Sequence, residues 1–325
     1  MVNKKQQKNF WQSLKKPFLV MAPMDDITDF PYRQIVKSCG GPDVTFTEFV
    51  STDGLCSAGR NRLLHDLKYL KNEKPIVAQV FGSKPENFTK TASLIKKLGF
   101  DGIDINMGCP FKTVEKQGAG AALIKTPVLA QQIIAATKKG AGDMPVSVKT
   151  RIGYGKDSSK IWIPQLLVMK PAALTIHART QKEKSRVPAH WDVIKEISAV
   201  IKSGKSETVL IGNGDVKSIA DAYLKAKLYG ADGIMVGRGA MNNPWFFSGK
   251  DEMEVTTKER LRLLLKHARL YEKTFKGIKR FYNLRKFYSA YISNFSDAKK
   301  LRIELMKAQN SEQLEEAINK YLLSE

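Results

Sequence analysis

The chain has 325 residues, of which 42% are hydrophobic, and it carries 54 lysine and arginine residues against 32 aspartate and glutamate residues, for a net charge of +22. This length suits one large domain or two, and the hydrophobic share excludes disorder for the bulk of the chain. No apolar run approaches the roughly 18–20 residues of a membrane span, and no signal peptide is evident, so we expect a cytoplasmic protein with no membrane partner. The three cysteines lack metal-binding spacing, which predicts neither a disulfide scaffold nor a metal site.

Eight short, nearly continuous apolar runs alternate with helical patterns between residues 18 and 245. Runs of this kind are typical of strands that are buried on both faces of a parallel sheet. Eight β-then-α units predict an α/β fold, a (β/α)8 TIM barrel rather than a doubly wound sheet, and no GxGxxG sequence follows the first strand. In chain order, the predicted strands are 18–22, 43–48, 76–80, 102–106, 146–149, 174–177, 209–212 and 233–236.

The pattern changes after Pro244, and helical periodicity alone continues from Thr256 to the end. We therefore predict a barrel domain over residues 1–247 and a C-terminal all-helical bundle over 256–325, with a linker over 248–257. Residues 255–310 hold nine lysines and six arginines against four acidic residues. This concentration of charge predicts a nucleic-acid surface, although a lysine-rich composition without functional meaning would also raise the charge.

Glycines and polar residues follow the predicted strands at their carboxyl ends, where barrel enzymes place their chemistry. The glycine turns after strands 7 and 8 suit a phosphate group, although tight turns alone would also explain them. Lys149, after strand 5, suits a cation beside a flavin ring, or a lysine that forms a Schiff base. Gln79 suits the edge of the same ring, and His177 suits either the ring or a buried core position.

Cys109 occupies a Gly-Cys-Pro turn directly after the fourth strand, which would present its thiol at the end of the barrel. A thiol in this place suits a general acid that gives its proton to a carbon atom. Cys39 and Cys56 are better explained as small hydrophobic residues.

Several of these segments, in this order, resemble the tRNA-dihydrouridine synthases, closest to the bacterial B-type subfamily. The resemblance implies an FMN-binding barrel that reduces uridine to 5,6-dihydrouridine in tRNA. FMN N5 would pass a hydride to uracil C6, Cys109 would protonate C5, and NADPH would reduce FMN again. The segments are 21–24 with Thr28, Asp29 and Arg33, then 106–110 with 118–121, 148–151, 177–180, 212–215 and 237–239.

The resemblance also assigns roles to individual residues, with Cys109 as the catalytic acid. The chain departs from the common pattern at Phe111, Thr113, Ala178 and Gln181, which leaves the target uridine open. We expect a monomer. The implied cofactor-binding residues are Pro23, Met24, Asp25, Gln79, Lys149, His177, Asn213, Gly214, Asp215, Gly237 and Arg238. The expected substrate-binding residues are Asn106, Arg151, Arg179, Arg280, Arg285 and Lys286.

Three other functions stay open at this point. The first is a flavin enzyme of the dihydroorotate dehydrogenase kind, which acts on a free pyrimidine. The second is an aldolase that uses Lys149, and the third is an RNA-binding or chaperone protein with a vestigial barrel. The basic helical segment favours tRNA over a free pyrimidine, and the flavin-contacting residues together with Cys109 favour an enzyme.

Overall fold

The computed structural model describes residues 9–250 and 254–324 and divides them into two compact units. The first unit holds residues 9–25 and 43–237, and the second holds 26–42, 238–250 and 254–324. Part of the predicted linker, residues 251–253, lies outside the described residues. The segment 26–42 belongs to the second unit although it comes between the first two strands. The domain limits predicted from the sequence stay a prediction.

All eight predicted strands are present and form one parallel sheet in the order β1-β8-β7-β6-β5-β4-β3-β2. A parallel bridge between Val20 and Val44 connects the two ends of this order, so the sheet closes into a barrel. The predicted (β/α)8 barrel is confirmed. The strands are β1 Phe18–Met21, β2 Thr45–Ser51, β3 Ile76–Phe81, β4 Gly102–Met107, β5 Val146–Gly153, β6 Ala173–Thr180, β7 Val209–Asn213 and β8 Gly233–Val236.

Strands β2, β5 and β6 extend three or four residues beyond their predicted carboxyl ends. The extensions of β5 and β6 contain threonine and arginine, which an apolar pattern cannot reveal, whereas the extension of β2 begins with Phe49 and Val50. Pairing with neighbouring strands continues regardless: Thr150 pairs with Met107, and Arg151 pairs with His177. Functional side chains at this end, here called the barrel mouth, therefore project from rigid strands.

The opposite end of the barrel contains an aromatic core. Trp11 is fully buried, and its ring centroid lies 6.0 Å from that of Phe18 and 6.2 Å from that of Phe46. Phe18 and Phe46 stand at the starts of β1 and β2, so the apolar layer there leaves the mouth for polar groups. The cluster continues with Val20, Ala22, Val44, Val77, Ala173, Val209, Ile211 and Met235.

Helices connect the strands of the first unit, and recognisable signals begin and end several of them. Pro85 and Pro127 stand at two helix starts, the Ser218 hydroxyl caps a third, and Gly230 ends that helix with φ +70°. The helices are α1 Phe10–Ser13, α3 Thr52–Leu55, α4 Arg60–Leu63, α5 Pro85–Lys97, α6 Lys112–Glu115, α7 Pro127–Ala141, α8 Ser159–Leu167, α9 Trp191–Ser203 and α10 Ile219–Tyr229, with 3-10 turns at Lys71–Glu73 and Gly120–Lys125.

The second unit is helical, as the sequence predicts. Tyr32 connects its two chain segments: its ring stacks on Phe287 at 4.7 Å, and its hydroxyl donates to the Ala240 carbonyl at 2.6 Å. Thr256 and Glu259 form a capping box at the start of its longest helix. The helices are α2 Phe30–Ser38, α11 Arg238–Asn242, α12 Thr257–Phe275, α13 Tyr288–Tyr291, α14 Ala298–Leu305 and α15 Ser311–Ser324, with 3-10 turns at Phe246–Ser248 and Phe281–Phe287.

Within residues 9–250 and 254–324, no helix combines the length and apolarity that a membrane crossing needs.

Candidate active site at the barrel mouth

Cys109 lies in a tightly held turn after β4, residues 108–110, called here the Cys109 turn. The Asn106 Oδ1 accepts hydrogen bonds from the backbone N–H groups of Gly108 (3.1 Å) and Cys109 (2.9 Å). The Cys109 carbonyl accepts from Ala121 N at 3.0 Å, and Gly120 packs so closely that an added Cβ would lie 2.8 Å from that carbonyl. The turn is therefore fixed from both sides.

The thiol of Cys109 is only 7% exposed and packs with Val114 and Ala119. Burial raises its pKa, and the negative charge of Asp25 acts in the same direction. Lys149 and Arg151 oppose the rise without cancelling it. The group is thus a protonated thiol at neutral pH, which is the form that a proton donor requires.

Lys149 places a cation without a counter-ion inside the barrel. Among the described residues, its ammonium makes no hydrogen bond and no ion pair. Burial lowers its pKa to about 8, and repulsion from Arg151 adds to the effect, while Asp104 and Cys109 oppose it. Lys149 is half-buried, and the hydroxyl of Thr175, the residue paired with it in register, is fully buried and makes no hydrogen bond within the described residues. Unsatisfied polar groups at this depth fit a polar ligand within the mouth.

Arg151 and Arg179, both expected to bind substrate, donate hydrogen bonds to groups of the protein, and their role towards substrate stays a prediction. Arg151 donates to the carbonyls of Gly108 at 2.7 Å and Thr180 at 3.0 Å. Arg179, 2% exposed, donates to the Val187 carbonyl at 2.6 Å. Both residues are at the predicted place, and both hold loops of the mouth in position.

Arg179 also connects two expected cofactor residues. Its Nη1 lies 3.3 Å from His177 Nε2, and its Nη2 pairs with the Asp215 carboxylate. The same Asp215 oxygen accepts from Ala189 N at 2.9 Å. His177 and Asp215, both half-buried, therefore form one polar group around the buried guanidinium of Arg179.

The two glycine turns differ in what requires their glycines. Gly214 has φ +135°, and an added Cβ would lie 2.7 Å from Ala189 Cβ, so packing and conformation both demand glycine. Gly237 has neither constraint, because an added Cβ would meet Met24 Sδ at 3.6 Å, an ordinary contact. A glycine that the protein's own packing does not require leaves room for a bound group, and this fits the phosphate end of FMN.

The remaining expected cofactor residues have the following positions. Pro23 is buried, Met24 is half-buried against the barrel core, and Asp25 is exposed. Asn213 is buried and donates to the Met235 carbonyl at 2.8 Å. Arg238 is the first residue of α11 and of the C-terminal segment of the second unit.

The positions that depart from the family pattern lie at the rim of the mouth. Phe111 is 57% exposed, and Thr113 is exposed. Gln181 Nε2 donates to Glu115 Oε2 at 2.9 Å, which joins the loops after β6 and β4. Ala178 is buried within β6.

In the second unit, several of the basic residues are occupied internally. Lys286 forms an ion pair with Asp26 at 2.5 Å, and one guanidinium N–H of Arg285 points at the Ala308 carbonyl at 3.4 Å. Arg302 donates to the Ile292 carbonyl at 2.9 Å. Of the three residues predicted to contact tRNA in this unit, only Arg280 is exposed.

Within the basic segment 255–310, a row of exposed basic residues runs along α12, and the sequence analysis did not single these residues out. Six exposed basic residues follow one another at spacings of four, four, three, four and three, so they fall within an arc of about 80° on the helix. The spacing is visible in the sequence and is the signal that could have found it. We call this set the α12 stripe: Lys258, Arg262, Lys266, Arg269, Lys273 and Lys276, the last being the C-cap residue.

Among the residues that the structure describes, no group of three or more histidine, cysteine, aspartate or glutamate side chains could hold a metal ion. The three cysteines are free.

Comparisons with known proteins agree with the resemblance. The model of the family "Dihydrouridine synthase (Dus)" matches residues 20–324. A probable tRNA-dihydrouridine synthase of Staphylococcus aureus (strain COL) is 42% identical over 307 residues, which cover 94% of this chain and 93% of that protein. The probable tRNA-dihydrouridine synthase 2 of Bacillus subtilis (strain 168) is 41% identical over 309 residues, which cover 94% of each chain.

Solved structures support the fold. The structure of TcOYE with pHBA matches with a TM-score of 0.51 at 12% identity, covering 71% of this chain and 87% of that chain. Histamine dehydrogenase from Rhizobium sp. 4-9 matches with a TM-score of 0.51 at 13% identity, covering 77% and 48%. These two likenesses concern the barrel architecture alone. Because the family model and the sequence relatives each span nearly the whole chain, the protein belongs to the dihydrouridine synthase family.

Proposed function

We propose that this protein reduces uridine to 5,6-dihydrouridine in tRNA, with FMN as its bound cofactor and NADPH as its reductant. The observation that carries the proposal is the presence, in one barrel mouth, of a buried, protonated thiol at Cys109 and an ammonium at Lys149 that makes no hydrogen bond or ion pair with the described residues. Each group influences the pKa of the other, so they act within one site. A proton donor beside a cation suits the reduction of a polarised double bond.

The residues of the mouth would have distinct roles in this reaction. Bound FMN would supply the hydride for uracil C6 after reduction by NADPH. Cys109 gives its proton to C5, and its raised pKa keeps that proton available at neutral pH. Negative charge that develops on a uracil oxygen needs a donor, and Lys149 and the Asn106 amide are the best candidates. Arg179 is less suited to this role, because carbonyl and carboxylate groups of the protein occupy its donors.

The FMN assignment rests on three features of the mouth. Lys149 and Gln79 would lie along the ring, since both neighbour Asn106: Lys149 pairs with it in register, and Gln79 accepts a hydrogen bond from its amide at 3.0 Å. Gly237 would allow the phosphate end to approach the backbone. His177 and Asp215, held by Arg179, would form the wall between ring and phosphate.

A tRNA substrate explains why this barrel is followed by a basic helical unit. The target base of a folded tRNA must leave its stack before it can enter an active site. Contacts with phosphates position the nucleic acid and carry no sequence information of their own. The α12 stripe offers six exposed cations along a single helix face, of which Arg269 forms an ion pair with Glu315 at 2.5 Å. This exposed set suits the task better than Lys286 and Arg285, which are half-buried and directed at groups of the protein.

The decisive experiment combines the purified protein, FMN, NADPH and a tRNA transcript without modifications. We expect a gain of one H2 on a particular uridine fragment in mass mapping, which establishes the activity and gives the position. The same assay uses tRNA from cells that lack dihydrouridine, in case other modifications are required. If neither tRNA gains hydrogen while the flavin binds and is reduced, the tRNA proposal is wrong. Turnover of free uracil would then favour the free-pyrimidine function.

Neutralising part of the α12 stripe is expected to weaken tRNA binding in a salt-dependent way. The double substitution Arg262→Gln with Lys266→Gln removes two exposed cations from one helix face. The plot of log K against log salt should become shallower by about 1.5, roughly 0.7–0.9 for each lost phosphate contact.

Lys307→Gln is the matched control for the stripe. Lys307 is also exposed and basic, yet it pairs with Glu304 at 2.6 Å and lies outside the stripe. Filter binding between about 50 and 200 mM salt measures all three proteins over the range in which phosphate contacts dominate. An equal change in slope for the control and the double variant would exclude the stripe as the RNA surface.

A further inference from the structure

A chain of side-chain hydrogen bonds crosses strands β3, β4 and β5 inside the barrel. Asp104 Oδ1 accepts from Ser147 Oγ at 2.6 Å, and Asp104 Oδ2 accepts from Gln79 Nε2 at 2.7 Å. The sheet register places these three residues side by side, one on each strand. Gln79 Oε1 in turn accepts from Asn106 Nδ2 at 3.0 Å.

This chain of hydrogen bonds ends at the backbone of the turn that carries Cys109. Asn106 Oδ1 accepts hydrogen bonds from the backbone N–H groups of Gly108 and Cys109, so three successive acceptors, Asp104 Oδ2, Gln79 Oε1 and Asn106 Oδ1, connect the Asp104 carboxylate with the Cys109 turn. All of its side chains are buried, and Gln79 and Asp104 are 0% exposed. Water therefore cannot replace a missing partner without entering the barrel.

The direction of this chain is fixed by the chemistry of its two ends. Backbone N–H groups can only donate, so Asn106 must turn its oxygen towards the Cys109 turn. Its amide nitrogen then faces Gln79, which must present its own oxygen. The nitrogen of Gln79 is left to find an acceptor, and an ionised Asp104 carboxylate can only accept. A flip of either amide would bring two donors together.

We propose that Asp104 is a positioning residue that fixes the orientation of the Gln79 and Asn106 amides and thereby holds the Cys109 turn. The fixed direction has a second consequence. An amide has two N–H groups, and the chain uses only one from each residue. Gln79 and Asn106 therefore each keep a spare N–H donor, the kind of group that a developing oxyanion needs. The link to catalysis rests on the proposed function, whereas the link to the turn does not.

The buried carboxylate of Asp104 is energetically unfavourable in its charged form. Burial disfavours its charged form and raises the pKa of Asp104 to about 6, although Ser147, Gln79 and Lys149 all favour the charge. Apolar residues of similar volume often serve as well as a buried charge for stability alone. A purely structural role would thus not require a carboxylate here. The orientation of the Gln79 amide does require a hydrogen-bond acceptor at this position.

Two substitutions at position 104 separate direction from shape. Asp104→Leu keeps the branched shape of the side chain, although it is larger, and removes the acceptor. Asp104→Asn can still turn its oxygen towards Gln79, and its nitrogen can donate to the Ser147 hydroxyl oxygen. Ser147→Ala is the matched control, because it removes the other partner of Asp104 and leaves the Gln79 contact intact.

The first measurement is the alkylation rate of Cys109 by iodoacetamide, followed by mass spectrometry on the full chain with and without FMN. The half-buried Cys56 provides an internal reference. We expect the rate ratio of Cys109 to Cys56 to rise about tenfold in Asp104→Leu, the equivalent of roughly one net hydrogen bond. In Asp104→Asn and Ser147→Ala, this rate ratio should stay close to that of the unsubstituted protein. Equal ratios in the Leu and Asn variants would overturn the proposal.

Gln79→Met covers the case in which Asp104→Leu does not fold. It cuts the same chain at its next member and should raise Cys109 alkylation to the same extent. If Cys109 of the Gln79→Met variant is alkylated no faster than in the unsubstituted protein, the proposal is also overturned. Because alkylation requires neither flavin nor tRNA, it distinguishes failure of this inference from failure of the proposed function.

The second measurement divides catalysis into its two halves. Asp104→Leu should slow uridine reduction much more than NADPH oxidation, and Asp104→Asn should restore much of the lost rate. Equal loss in both halves, without rescue by asparagine, would indicate a merely structural role and contradict positioning.

Discussion

Replacing Cys109 with alanine is expected to stop dihydrouridine formation while NADPH oxidation continues. The substitution removes the one thiol at the mouth that can protonate uracil C5, and loss of a general acid costs about 10²–10⁴-fold in rate. Only one buried sulfur atom is lost, and the backbone of the turn remains held by Asn106 and Ala121. Dihydrouridine per tRNA and NADPH consumption are measured in the same reaction.

Cys56→Ala is the matched control for this experiment. Cys56 is another free cysteine of the first unit, and it contacts the Asn87 carbonyl at 3.7 Å and the Thr91 hydroxyl at 3.8 Å, away from the site. It should keep both activities. Normal dihydrouridine formation by Cys109→Ala would contradict the assignment of the acid, and loss of NADPH oxidation would show that the variant is damaged beyond its thiol.

The sequence predicts the barrel well because the signal is local. Buried parallel strands need consecutive apolar residues, and each of the eight runs contains its own evidence. The same reasoning places Gln79, Asn106, Lys149 and His177, since the carboxyl end of each strand follows from the strand itself. The sequence does not predict the polar continuation of β5 and β6, because hydrogen bonding to the neighbouring strand determines the conformation there.

Long-range pairing explains the other differences. The segment 26–42 looks like an ordinary barrel crossover, yet Tyr32 stacks on Phe287 and Asp26 pairs with Lys286, more than 250 residues away. Composition counts charges but cannot show which of them are already satisfied. Arg151 and Arg285 therefore resemble ligands in the sequence, and in the structure they point at carbonyl groups of their own unit.

Lys149→Met is expected to make the cofactor-free protein more stable. Moving the pKa of this lysine from 10.5 to about 8 costs the charged form about 3 kcal/mol, so the folded chain carries this penalty at pH 7. Methionine keeps much of the side-chain length and removes the charge. The melting temperature should rise by about 5–10 °C at pH 7. Lys160→Met, an exposed surface lysine 3.3 Å from Glu196, is the control and should change little.

The pH dependence tests the cause of that gain. Below about pH 8, Lys149 is charged in both the folded and the unfolded chain, and the full penalty is present. Between about pH 8 and 10.5, only the unfolded chain keeps the proton, so the stability of the unsubstituted protein rises relative to that of the variant. The difference in melting temperature should therefore shrink across this range. A constant difference would show that packing, and not the buried charge, produces the stabilisation.

The same variant should lose activity as it gains stability. The Lys149 ammonium, which has no partner among the described residues, lowers the stability of the folded protein. It would stabilise negative charge that develops on a ligand beside it, and this would explain why a destabilising lysine stands here. We expect uridine reduction by Lys149→Met to fall about 10²–10³-fold, the loss typical of one electrostatic donor. Single-turnover reduction of tRNA, measured at pH 7 with FMN bound, checks this. A variant that is both more stable and fully active would remove Lys149 from the mechanism, since its charge would then serve neither folding nor catalysis.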